Sequence, residues 1–277
     1  MKTLIIAEAG VNHNGSLQLA KKLVDTGADA GVDVVKFQTF NPGALTSALA
    51  QTAEYQKVNT GKDESQLEML RNLTLSEQDH YELAEYCKSK NVQFCSSPFD
   101  LGSIAFLKKL GVPFWKIPSG EITNLPYLRE IARFNEPVIL STGMSNLSDI
   151  ESALNILLES GVNREKISLL HCNTEYPTPA SDVNLNAMKT LRSAFCMNVG
   201  YSDHTRGIEF PIAAVALGAT IIEKHITLNK AMEGPDHRAS LEPHELFEMV
   251  KAIRNIEIGM GSSVKRPSES EMKNISV

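Results

Sequence analysis

"MNVGYSDHTRG", residues 197–207, is an apolar run that ends on an acid and an imidazole side by side, Asp203 and His204. About twenty residues on, "ATIIEKHITL", 219–228, behaves alike and ends on Glu223 and His225. Working outward, the same kind of run recurs as "TLIIAEAG" (3–10), "VDVVKFQTF" (32–40), "VQFCSSPF" (92–99), "PFWKIPSG" (113–120), "PVILSTGM" (137–144) and "ISLLHCNT" (167–174). Amphipathic stretches lie between them, such as "SLQLAKKLVDTGADAG", "SEQDHYELAEYCKSKN" and "NLSDIESALNILLESG". The last of these carries Asn146 or Ser148 as a cap and stops at Gly161, a helix start and stop. A further helix, "EPHELFEMVKAIRNIEIG", follows the eighth run. Near-continuous apolar strands are those of a parallel sheet buried on both faces. Eight β-α units at this spacing predict a (β/α)8 TIM barrel of the α/β class. An open doubly wound sheet is the competing reading, and no Gly-x-Gly-x-x-Gly follows the first strand to support it.

The chain has 277 residues, 42% of them hydrophobic, enough for a large core. No apolar run approaches the ~18 residues of a membrane helix. The short run after Met1 is broken at once by Glu8, which argues for a first strand rather than a signal peptide and for a cytoplasmic protein. A net charge of −6 without a basic stripe argues against nucleic acid as a partner. Cys87, Cys95, Cys172 and Cys196 include no Cys-x-x-Cys pair and read as reduced thiols.

In such barrels the active site lies at the C-terminal ends of the strands. Those ends carry Glu8, Lys36, Gln38, Ser97, Lys116, Ser119, Glu121, Ser141, Asn173, Thr174, Ser202, His204, Glu223 and His225. Side chains two apart share a face, so Lys36 with Gln38, and Glu223 with His225, point together. An ammonium turned into a barrel must be paired or must meet an anion. Neighbouring strands lie about 4.8 Å apart, which brings His204 and His225 within reach of one divalent ion with open positions for substrate and water. Asp203 and Glu223 would then orient the imidazoles or complete the ligand set. Lysines and serines form a cradle for a phosphate or carboxylate beside a polarised carbonyl, an arrangement suited to aldol-type chemistry. His13 either lines this site or finishes the "NHNG" turn, and His80 reads as exposed on a helix. In the loop "GPDHRASLEP", Asp236 is the best substrate contact. The polar connection 41–75 would lie over the mouth as a lid.

The motifs "IAEAGVNHNGS", "VVKFQTF", "SSPFD", "WKIPSGEI", "ILSTGM", "LLHCNTEYPTP", "GYSDHT", "IEKHITL" and "GPDHRASLEP", in order over nearly the whole length, resemble the sialic acid synthase family. The resemblance implies condensation of phosphoenolpyruvate with an N-acetylated mannose-type sugar and release of phosphate. It implies a divalent cofactor, Mn²⁺ with Mg²⁺ or Co²⁺ as alternatives, on His204 and His225. It implies Lys36, Ser97, Lys116, Ser119, Ser141 and Ser202 around phosphoenolpyruvate. Gln38, Tyr176 and Asp236 would lie near the sugar, with Asn173 or Thr174 also in reach, and Glu8 and Glu121 would handle protons. The alternative is another phosphoenolpyruvate-dependent 3-deoxy-sugar-acid synthase or a metal-dependent aldolase. Its phosphorylated acceptor would need a second basic cluster, and none stands out.

The barrel is expected over residues 1–262. Residues 263–277, "SVKRPSESEMKNISV", read as a linker toward an antifreeze-like domain that family members carry and that lends an arginine to the partner's sugar site. A homodimer is expected of the full-length protein.

Overall fold

The computed structural model describes residues 2–45 and 65–275. Among these, eight parallel strands form one sheet: β1 (Leu4–Gly10), β2 (Val34–Thr39), β3 (Gln93–Pro98), β4 (Trp115–Ile117), β5 (Val138–Ser141), β6 (Ile167–Cys172), β7 (Asn198–Asp203) and β8 (Ile221–His225). Their order around the sheet is β3-β2-β1-β8-β7-β6-β5-β4. Every neighbour is the next strand in sequence except β1, which pairs with β8 in parallel, Glu8 opposite His225. That pairing bends the sheet round on itself. β3 and β4 meet at the seam without a ladder, bridged by the Cys95 thiol donating to the Phe114 carbonyl (3.6 Å). The fold is the TIM barrel read from the sequence.

The helices of the outer layer that bear on the site are α1 (Leu17–Ala30), α2 (Pro42–Leu45), α3 (Gln66–Asn72), α4 (Glu77–Ser89), α5 (Leu101–Leu110), α6 (Leu125–Ala132), α7 (Leu147–Glu159), α8 (Ala187–Phe195), α9 (Glu209–Ala216) and α10 (Pro243–Gly259). Their starts are set by short polar caps. Asn146 accepts from the N–H groups of Ser148 and Asp149 at the head of α7, and Asp149 answers it in a capping box. Residues after α10 are exposed, with one capped 3₁₀ turn over Glu269–Asn274 inside the stretch read as linker.

Two cores result. The larger lies between strands and helices and holds Trp115, Tyr127, Leu107, Leu23 and Ile253. The smaller fills the barrel itself with Ile6, Val34, Cys95, Phe114, Ile139, Leu170 and Ile221. Gly200 faces this inner core. A Cβ there would stand 2.4 Å from the Ile221 carbonyl oxygen and 2.7 Å from Leu170, so the run "NVGYS" needs a residue without a side chain. The apolar plug ends one layer below the mouth, and polar side chains take over above it.

Asp203 and His204 end the same strand but face opposite ways. His204 turns into the mouth. Asp203 turns outward and ion-pairs with Lys224 of β8, both side chains fully buried. Tyr201 donates to the same carboxylate (2.9 Å), as do the Thr205 amide and hydroxyl (both 3.0 Å). Asp203 is therefore neither a metal ligand nor an orienter inside the site, a correction that follows from strand alternation.

Candidate active site

The layer above the plug is charged and dry. Lys36 lies 2.6 Å from Glu8 Oε2 and donates to Ser97 Oγ (3.1 Å). Glu223 Oε1 sits 3.3 Å from Lys116 and 3.8 Å from Lys36. All four charged side chains are almost wholly buried. Such groups persist only when paired. The pairing is written in the register, since β1 sets Glu8 beside Lys36 of β2.

The two acids of this layer do not respond alike. Burial, with the Glu223 charge added, pushes Glu8 upward despite Lys36. Burial opposes ionisation of Glu223 too, yet Lys116 and Lys36 hold it below the usual carboxylate range. Against the pull of burial, Glu223 and Glu8 hold Lys36 above the usual lysine value. Asp236 is pushed up to about 7 by burial and by Glu8.

Beside this layer stand the two histidines, ring centroids 5.4 Å apart. Burial lowers His204 to about 4 and drives His225 well below its ordinary value, helped by His204 and Lys36. Both rings are neutral at pH 7, as a metal ligand must be. His204 Nδ1 is committed to the Asn173 carbonyl, which turns Nε2 toward the Tyr176 hydroxyl (3.1 Å). His225 Nδ1 is buried without a hydrogen-bond partner, 4.0 Å from Asp236. A buried imidazole nitrogen left bare, beside a second neutral ring, suits a cation. Among the described residues no cluster of three or more His, Cys, Asp or Glu is arranged to hold a metal. An ion here would take two protein nitrogens and fill its other positions with water or substrate oxygen.

A cavity of roughly 320 Å³ opens over these groups. Its lining brings together Glu8, Lys36, Gln38, Ser97, Lys116, Ser119, Ser141, Thr174, Tyr176, Ser202, His204, His225 and Asp236. Gln38 donates to Glu8 (3.1 Å), and Ser202 to Glu223 (3.3 Å). Ser119 Oγ accepts the Gly143 N–H (2.9 Å) and touches Cys172 Sγ (3.3 Å). A Cβ on Gly143 would meet Thr174, Ser119 and Cys172 at 2.7, 2.9 and 3.2 Å, so this glycine keeps the serine corner open.

Two of the strand-end residues are not on the lining. Glu121 sits in a 3₁₀ turn after β4, where its carboxylate accepts from Asn124 (2.6 Å). Asn173 spends its side-chain oxygen on the Glu175 amide (2.7 Å), and it is Thr174 that reaches the cavity. His13 finishes the turn, with Nδ1 accepting from the Gly15 amide (3.1 Å). His80 is not exposed but buried, bonded to Thr39 (2.9 Å) and to the Ser76 carbonyl (2.8 Å). Cys87, Cys95 and Cys172 are buried free thiols, and Cys196 is exposed. Residues the sequence did not point to include Lys224, fully buried against Asp203 outside the cavity, and an apolar cavity wall from α3 and its C-cap, Met69, Leu70 and Leu73. Of the connection 41–75, residues 46–64 lie outside the described ones.

Residues 23–265 match the model of the NeuB family. The chain belongs to the NeuB family. Over 276 residues it is 56% identical to the N,N'-diacetyllegionaminic acid synthase of Campylobacter jejuni, covering 100% of this chain and 83% of that protein. The enzyme of the same name from Legionella pneumophila is 49% identical, over 98% of this chain and 77% of its own length. The N-acetylneuraminic acid synthetase of Leptospira borgpetersenii, solved with citrate, superposes with a TM-score of 0.86 at 35% identity, covering 100% of this chain and 91% of that one. This NeuB member is an enzyme of the sialic acid synthase type, which forms C–C bonds. No helix among its described residues is long and apolar enough to cross a membrane.

Proposed function

We propose that the chain condenses phosphoenolpyruvate with an unphosphorylated, N-acetylated mannose-type aldose, of the diacetamido kind that leads to a legionaminic acid, and releases phosphate. One observation carries the reading. A buried layer of two lysines and serine hydroxyls adjoins two neutral imidazoles, one of them with a bare nitrogen. The names of the most similar relatives above support the choice of acceptor.

Lys36 and Lys116, with Ser97, Ser119, Ser141 and Ser202, hold the phosphate and carboxylate in a site whose low dielectric strengthens each contact. These two ammonium groups are already paired with Glu8 and Glu223, so an added dianionic phosphate calls for further positive charge. His204 and His225 would hold the divalent ion that supplies it. When bound, that ion, read as Mn²⁺ with Mg²⁺ or Co²⁺ as substitutes, supplies Lewis acidity at the acceptor carbonyl. The enol carbon bonds to the aldehyde carbon, water adds to the former enol C2, and phosphate departs by C–O cleavage. Glu8, braced by Lys36 and Gln38, is the carboxyl placed to take the proton of that water. Gln38, Tyr176, Thr174 and Asp236 surround the acceptor.

Lys36→Met and Lys116→Met are each expected to weaken phosphoenolpyruvate binding by about 2–3 kcal/mol, the range for losing a charge-assisted contact. Calorimetry would show it, and unchanged affinity in both variants would remove the anion site from these lysines. The function itself is tested by phosphate release from phosphoenolpyruvate across a panel of aldoses. Release is expected with N-acetylated mannose-type sugars and a divalent ion. Preference for a phosphorylated aldose without an acetamido group would favour a 3-deoxy-sugar-acid synthase instead.

A further inference from the structure

We infer that Gln66 and the apolar face of α3 form the subsite that selects the acceptor, by taking an acetamido group on its distal end. This deepens the synthase reading and rests on it. Gln66, Met69, Leu70 and Leu73 stand at i, i+3, i+4 and i+7, so they share one face of α3 and its C-cap, and all four line the cavity. Met69, Leu70 and Leu73 pack with Val11 and Phe40 into a small cluster of their own, apart from both cores. Gln66 takes the next place in that stripe, where another apolar residue would continue it. Its Oε1 is buried and accepts no hydrogen bond. A buried acceptor left bare costs about 1–3 kcal/mol, a cost that a ligand N–H removes.

The chemistry of the wall defines that ligand. One acceptor oxygen set in hydrocarbon matches a group with one N–H and one methyl, which is an acetamido substituent. It does not match a phosphate ester. Among the described residues of this chain the lining holds no arginine, and the two lysines there lie in the charged layer, engaged with Glu8 and Glu223. An unpaired phosphate against Met69 and Leu70 would lose its hydration without return. A simple hydroxyl could reach Gln66 but would leave the apolar surface uncovered.

The test uses acceptors reduced to their alditols, which bind without reacting, titrated calorimetrically into the protein with phosphoenolpyruvate and Mn²⁺ present. Three are compared: a mannose-type alditol with two acetamido groups, one with a single acetamido group, and the phosphate ester of the latter. The parent is expected to bind the first most tightly. Gln66→Leu should weaken it about tenfold, one hydrogen bond's worth. It should leave the single-acetamido form within about threefold, and phosphoenolpyruvate affinity unchanged, which also reports an intact fold. Equal loss for both acetamido forms, no loss for either, or tightest binding of the phosphate ester would each overturn the subsite alone. A parent that binds phosphoenolpyruvate but none of the three alditols would overturn the synthase reading beneath it.

Discussion

Lys224→Met is expected to lower the free energy of unfolding by about 3–5 kcal/mol, the range for removing one partner of a buried ion pair. The Lys224 ammonium is fully buried against Asp203 and also donates to the Thr205 carbonyl (2.5 Å). Its loss strands a carboxylate that water cannot reach, although Tyr201 and Thr205 still donate to it. Asp203→Asn in the same chain should return part of the stability, because an amide leaves no buried charge. Urea unfolding measures both. A change below about 1 kcal/mol in the single variant would mean that the pair does not hold β7 to β8. Since His204 follows Asp203 directly, the single variant should also bind divalent ions more weakly.

His225→Ala is expected to remove most divalent-ion binding and to cut turnover more than about 100-fold. Changes to groups that only support a ligand already cost about 10–100-fold, and loss of the ligand itself should exceed them. Stability should change little by comparison. The bare Nδ1 means that no hydrogen bond is given up there, and the ring borders an open cavity that water can fill. Calorimetric titration with Mn²⁺ and thermal unfolding of the apo-protein separate the two effects. Parental Mn²⁺ affinity in the variant would move the metal away from this ring.

Much of this was legible in the sequence because parallel strands buried on both faces leave unbroken apolar runs, and all eight runs became strands. The strand-end lysines, serines and histidines were legible because polar groups inside such runs need a shared purpose. What escaped depended on partners distant in sequence. Lys224 finds Asp203 only across the β7–β8 pairing, and His80 is drawn inward by Thr39 of β2, which Ser96 of β3 holds in turn. Local turn chemistry decided between Asn173 and Thr174, since an Asn oxygen can close a turn on the Glu175 amide. Glu121 turned aside because the chain after β4 enters a 3₁₀ turn rather than continuing extended. The wall from α3 was hidden by the polar composition of the connection around it, in which a single short apolar stripe faces the cavity.

The central claim is that the layer of Lys36, Lys116, His204 and His225 joins phosphoenolpyruvate to an aldehyde. The most direct measurement follows [2-¹³C]phosphoenolpyruvate by NMR in the presence of the protein, Mn²⁺ and a diacetamido mannose-type aldose. The account predicts that the label moves from the enol position to a quaternary hemiketal carbon, in step with phosphate release, and only when aldose and Mn²⁺ are both present. Label that ends in free pyruvate at the same rate without the aldose would contradict it.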